Sequence, residues 1–199
     1  MLLFTIGSSI LESCKTLTTN DSVVIPHKPL KPVYVPAGTI SKAPDGLAVG
    51  APKIRSEFTN GQFCCHEITL QPKQAGPVPH LHKELDEIAY VIEGTVHVLV
   101  GDTITTLNAG DYHLRPHGIV HTFWNAGDVQ ARFIDMYPNQ DFLSFFEERA
   151  RIENKLKSQG LTTQSPEGEK LNNALLKKFG IEGFPELFPP IIEKYGLTI

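Results

Sequence analysis

Between Gln62 and Tyr137 the chain offers seven strand-length runs and no stretch of helical periodicity. Alternating apolar residues mark these runs at 62–71, 87–92, 95–100, 103–107, 112–115, 120–125 and 130–137. Gly101-Asp102, Asn108-Ala109-Gly110-Asp111 and Ala126-Gly127-Asp128 separate several of them with residues that favour tight turns. Links this brief cannot hold a crossover helix, so the strands must pair antiparallel. An all-β barrel or sandwich follows. A chain of 199 residues, 41% of them hydrophobic, can bury one substantial core, and one structural domain is expected.

Two segments of this frame carry metal-binding side chains. The first reads His80-Leu81-His82-Lys83-Glu84-Leu85-Asp86-Glu87 and runs on to Gly94; the second places Gly110, Pro116, Gly118, His121 and Asn125. In an extended strand His80 and His82 share a face, and Leu81 takes the other. Glu87 lies five residues past His82, an odd spacing that would send it to the opposite face of an unbroken strand. The polar run 83–86 must therefore bend or bulge to bring it back. His121 arrives from another strand, after the turn Arg115-Pro116-His117-Gly118. There Pro116 fixes φ and Gly118 admits a conformation other residues resist.

Brought together, His80, His82, Glu87 and His121 make a site for one divalent transition metal: iron, manganese, nickel, copper or zinc. The set is too nitrogen-rich for calcium or magnesium. An ion preferring six ligands keeps two positions open for water, dioxygen or substrate, whereas tetrahedral zinc would be closed and structural. One carboxylate among neutral ligands leaves about one net positive charge, which favours anionic substrate groups. By parity Phe123 and Asn125 face inward with His121, and Ala89 and Val91 with Glu87; Phe133 and Asp135 join them if register allows. His27, His66 and His97 read as core or surface residues. His113 and His117 read as turn or surface residues, a supporting role behind the ligands being the alternative.

The two segments resemble the paired signature motifs of the cupin superfamily. The second matches the family pattern of Gly, Pro, Gly, His and Asn at every position, and the first matches from His80 through Glu87 to Gly94. The one departure is Gly76, which stands closer to His80 than the family's glycine does. The wording around Gly76–His80 and Phe123–Asp128 is similar to single-domain bacterial cupins of the quercetin-dioxygenase-like group. The likeness covers roughly 63–146. It implies a double-stranded β-helix, the jelly-roll barrel, with a helical C-terminal extension. It also implies a dioxygenase acting on a small flavonol- or catechol-like substrate, with Glu87 both ligand and proton acceptor, and a homodimer. A non-catalytic metal- and ligand-binding module, and an isomerase or lyase, are the alternatives.

Lys and Arg total 18 against 22 Asp and Glu, a formal charge of −4, with no basic run. Nucleic acid is not an expected partner. Cys14, Cys64 and Cys65 form no disulfide framework, and adjacent Cys64 and Cys65 point to opposite faces of a strand. Residues 1–60 read as an arm on the barrel, with strand candidates such as Lys31-Pro32-Val33-Tyr34-Val35; 61–140 as the barrel; and 141–199 as the helical extension. Asp141 is the expected cap of a first helix bearing Phe142, Phe145, Phe146 and Ile152 and stopping at Gly160. Ser165-Pro166 starts a second, ending at Gly180, and Gly196 ends a third begun near Pro190. These helices either cover the barrel's outside and a dimer contact, or cap its mouth over the metal. Met1–Ile6 is apolar but short, with no preceding Lys or Arg, and reads as neither secretory signal nor membrane span. A soluble, cytoplasmic protein with no membrane partner is expected.

Overall fold

The computed structural model describes residues 29–199; Cys14, His27 and the apolar opening run lie outside the described residues. Ten strands and three α-helices are present among them: β1 (Ala51–Ile54), β2 (Phe63–Leu70), β3 (His80–His82), β4 (Glu87–Glu93), β5 (Thr95–Val100), β6 (Thr103–Asn108), β7 (Tyr112–Arg115), β8 (His121–Trp124), β9 (Ala131–Pro138), α1 (Leu143–Ser158), α2 (Pro166–Lys178), β10 (Ile181–Gly183) and α3 (Phe188–Tyr195). The strands form two five-stranded sheets, ordered β1-β2-β9-β4-β7 and β10-β3-β8-β5-β6. Their facing sides enclose Leu70, Ala89, Val91, Val96, Val98, Leu107, Phe123, Ala131 and Phe133. This is the double-stranded β-helix that the resemblance implies, an antiparallel barrel as the strand pattern required, followed by C-terminal helices.

Alternation sets which side chains enter. In β9, Ala131, Phe133, Asp135 and Tyr137 are buried and the residues between them half-buried. The register places Asp135 opposite Ala89 and Phe133 opposite Val91, so both belong to the interior. The chain passes from one sheet to the other at Gly94, whose φ of +72° suits glycine. A Cβ there would come within 2.5 Å of the Gln130 carbonyl oxygen, so the close approach also demands it.

Three expectations need correction. Residues 31–35 form no strand and are largely exposed; Pro32 within them and Pro36 just after remove ladder donors. Strands β1 and β10 were not expected, because each is too short to show a period and exists only by pairing, with β2 and β3 respectively. Asp141 does not cap α1: the cap position is Phe142, without a side-chain cap, and Asp141 instead accepts a bond from the Ser144 hydroxyl at 2.6 Å. Ser165 does cap α2, accepting from the Gly168 N–H at 3.2 Å, with Pro166 at the first helical position.

The helices divide between the two roles considered for them. Phe142, Leu143, Phe145, Leu175 and Phe179 from the α1–α2 region pack with Cys64, Leu85 and Tyr137 at one end of the barrel. A buried ion pair, Arg55 to Glu147 at 2.8 Å, ties α1 to the segment after β1. Helix α3 lies elsewhere, its Phe188 and Ile191 against Trp124 and Ala75. No helix among the described residues is long and apolar enough to cross a membrane.

Candidate metal centre

Local pairing brings the four expected ligands together. His80 on β3 is the direct cross-strand partner of His121 on β8, their ring centroids 4.6 Å apart. The 83–86 run leaves the strand as a bend, as the odd spacing required, and Glu87 enters as the first residue of β4 in the opposing sheet. The turn carrying Gly118, φ +73°, is fastened back by its N–H to the His82 carbonyl at 2.7 Å. One ligand atom from each of His80, His82, Glu87 and His121 lies within 4.8 Å of all the others. His82, His121 and Glu87 are buried, and His80 is half-buried at the edge of the cluster.

Hydrogen bonding fixes how the rings present themselves. His80 Nδ1 donates to the Val78 carbonyl at 2.8 Å and His121 Nδ1 to the Ile119 carbonyl at 3.0 Å. Because a carbonyl only accepts, the proton sits on Nδ1 and the Nε2 lone pair is free for a cation. His121 Nε2 nevertheless stands 3.1 Å from Glu87 Oε2, and His82 Nε2 3.2 Å from Oε1. Both nitrogens are buried without a hydrogen-bond partner. His121 Nε2, left an acceptor by the Ile119 bond, repels Glu87 Oε2 at this distance unless a positive charge lies between them, and one divalent ion answers all four groups together.

The surrounding charges agree. Arg115 Nη2 lies 3.2 Å from Glu87 Oε2 and bonds Asp135 Oδ1, all three side chains being buried. Two carboxylates against one guanidinium leave one buried negative charge; a divalent ion turns that sum to about plus one. Burial alone would raise the Glu87 carboxyl, but the Arg115 charge and contacts from His121 and His82 hold it well below the usual range. Burial also raises Asp135 to about 7, against the pull of Arg115. His80 is pushed down to about 4, chiefly by burial and then by its His121 neighbour, which favours the neutral, ligating form. The residues present thus fit a divalent transition metal.

Residues outside the expected set also shape the site. The Phe142 ring stands edge-on to His82, 4.9 Å between centroids, and packs on Tyr137 at 5.0 Å. The sequence puts Phe142 on a helical stripe but cannot aim it at the ligands. Arg115 reads in the sequence only as a turn residue; the signal lies in its parity with His113, since β7 shows Leu114 and Tyr112 to solvent. His113, half-buried, pairs in register with Ala89 on this inner face. His117 is exposed and joins the two motif loops through Asp86, Nδ1 to Oδ1 at 2.7 Å. His66 and His97 are structural: His66 accepts the Ala51 N–H, and His97 stacks on Trp124. Asn125 is no ligand; its amide donates to the carbonyls of Leu70, Gln71 and Val129 and accepts from the Gly127 N–H.

Residues 66–137 match the family model described as the cupin domain, a span holding both motifs and all four ligands. This barrel resembles a cupin domain. Among curated proteins, the Arabidopsis thaliana germin-like protein subfamily T member 2 is 32% identical to this chain over 107 residues. That alignment takes in 50% of this chain and 48% of the plant protein, so the chain spans about half of that relative's length. Among solved structures, KdgF from Halomonas sp. is 22% identical, with a TM-score of 0.38 over 40% of this chain and 71% of that one. A Klebsiella pneumoniae protein with a double-stranded β-helix domain is 18% identical, with a TM-score of 0.43 over 55% and 90%.

Proposed function

We propose that the protein is a metal-dependent dioxygenase of the quercetin-dioxygenase-like kind, acting on a small, anionic, flavonol- or catechol-like substrate. The observation that carries this reading is the convergence of three imidazoles and one ionised carboxylate inside the barrel, four ligands that leave a six-coordinate ion unfilled. A bound divalent metal would supply Lewis acidity and redox capacity to an ionisable substrate hydroxyl. The positive local sum favours a phenolate or enolate over a neutral group. Phe142 brings an aromatic ring against His82, backed by Phe145 and Tyr137.

Within this reading Glu87 accepts the substrate proton while remaining a ligand. Arg115 keeps it charged and therefore able to accept. Burial of His82, His121 and Glu87 excludes water from the reacting groups, and half-buried His80 marks the more open side. Oxygen uptake by iron-, manganese- and nickel-loaded protein with flavonols and catechols tests the proposal. Consumption abolished in Glu87→Gln, with metal content retained, is the expected result; no consumption with any pairing sinks it.

A second reading, a non-catalytic metal- and ligand-binding module, is favoured by the same Arg115 contact, which weakens Glu87 as a base. It gains if small acids shift thermal stability while no oxygen is consumed. The proposal also includes a homodimer and a cytoplasmic location. Tyr112 and Leu114, 68% and 54% exposed on the outer face of β7, offer apolar surface for the former. Free, buried Cys64 and Cys65 are in keeping with the latter. Light scattering and cell fractionation test each.

A further inference from the structure

Glu87 is the only anion in the ligand set, and its orientation is constrained by residues that reach no metal themselves. Arg115 is its direct cross-strand partner, β7 against β4. The Arg115 Nη2 contacts Glu87 Oε2 at 3.2 Å and bonds Asp135 Oδ1 on β9. The Tyr137 hydroxyl in turn donates to Asp135 Oδ2 at 3.4 Å. Arg115 and Asp135 are 0% and 1% exposed, within an interior otherwise lined by Ala89, Val91, Phe123 and Phe133. Charged groups in such a place are costly beside well-packed apolar ones, so bulk stability is a poor account of them.

We propose that Arg115, anchored by Asp135, is the positioning residue for Glu87: it engages Oε2 and holds the carboxylate in the orientation that faces His82 and His121. Both contacts run through the one Nη2, while Nε and Nη1 are buried without a partner, so the rigid guanidinium plane fixes the direction of that nitrogen where a flexible ammonium would not. Without that anchored nitrogen, Glu87 is free to rotate away from the imidazoles. The inference rests on the four side chains holding a metal, and not on the oxygenase reading.

The test is Co2+ titration of wild-type protein and of Arg115→Lys, following affinity and the visible spectrum of the bound ion. Lysine keeps the charge and loses the rigid plane, so a purely coulombic role predicts no change. The expected result is a changed spectrum and an affinity weaker by on the order of 10- to 100-fold, the usual range for a partner that orients a ligand. Either quantity unchanged overturns the proposal. Should Arg115→Lys fail to fold, Asp135→Asn, which leaves Arg115 unanchored, is held to the same two criteria. Because neither readout needs turnover, an absence of oxygen consumption has no bearing on the role of Arg115.

Discussion

Acid should unfold this protein partly through His66, a buried residue outside the proposed ligand set. Its ring is 7% exposed, contacts Phe146 at 5.2 Å between centroids, and accepts the Ala51 N–H on Nε2 at 2.9 Å. Burial, the main cause, pushes its pKa down to about 4 from the ordinary 6.5, with Lys53 adding to the fall and Glu67 opposing it. Protonation would place an N–H on Nε2 facing the N–H of Ala51, two donors with nothing between them. The folded state therefore refuses a proton that the unfolded chain binds readily below pH 6.5. Stability is untouched above that value, is lost as pH falls from 6.5 towards 4, and levels off below. At pH 4.5 the loss from this one ring is about 2–3 kcal/mol, at 1.4 kcal/mol per pH unit. For a chain of this size that is roughly 5–10 °C in Tm. The assay is the melting temperature of wild-type protein against His66→Gln, whose amide oxygen can take the same N–H without titrating. The difference between the two should change by that amount between pH 7 and 4.5, other acid-labile groups cancelling. Parallel curves would refute the reasoning.

Chelator-stripped protein given a divalent transition metal at about one hundred times its Kd should gain about 2.7 kcal/mol, or roughly 5–10 °C in Tm, and His82→Ala should abolish the gain. Phe142→Ala should cost about 3–5 kcal/mol in urea unfolding, since the ring is buried among Tyr137, Phe145 and Phe179. The same variant should raise water relaxivity at bound Mn2+ by uncovering His82. Asn125→Ala should cost about 3 kcal/mol by stranding the carbonyls of Leu70, Gln71 and Val129, while metal affinity stays within error of wild type.

Strand boundaries within the barrel were legible because each strand shows one face to the core, so its period is written in the residues themselves. β5 and β7 fall where alternation placed them, and the bend between His82 and Glu87 followed from parity alone. The ligand set was legible for a related reason: His80 and His82 lie on one short strand, and Pro116 and Gly118 signal the turn that delivers His121. β10 was hidden, since three residues show no period and the strand exists only against β3. The Asp141 cap was misplaced by one residue: the helix starts behind Phe142, and Asp141 takes the Ser144 hydroxyl instead of a backbone N–H.

What the linear chain determined by itself is an antiparallel β structure with three histidines and a glutamate on inward faces, followed by helices with apolar stripes. Those are consequences of local period and turn chemistry, which act over a few residues. Only the tertiary structure decided that Arg115 meets Glu87 and Asp135, and that Phe142 lies against His82. Such contacts depend on register between strands and on which barrel end receives the helices. Side-chain packing across the whole domain sets both, and no local pattern encodes them.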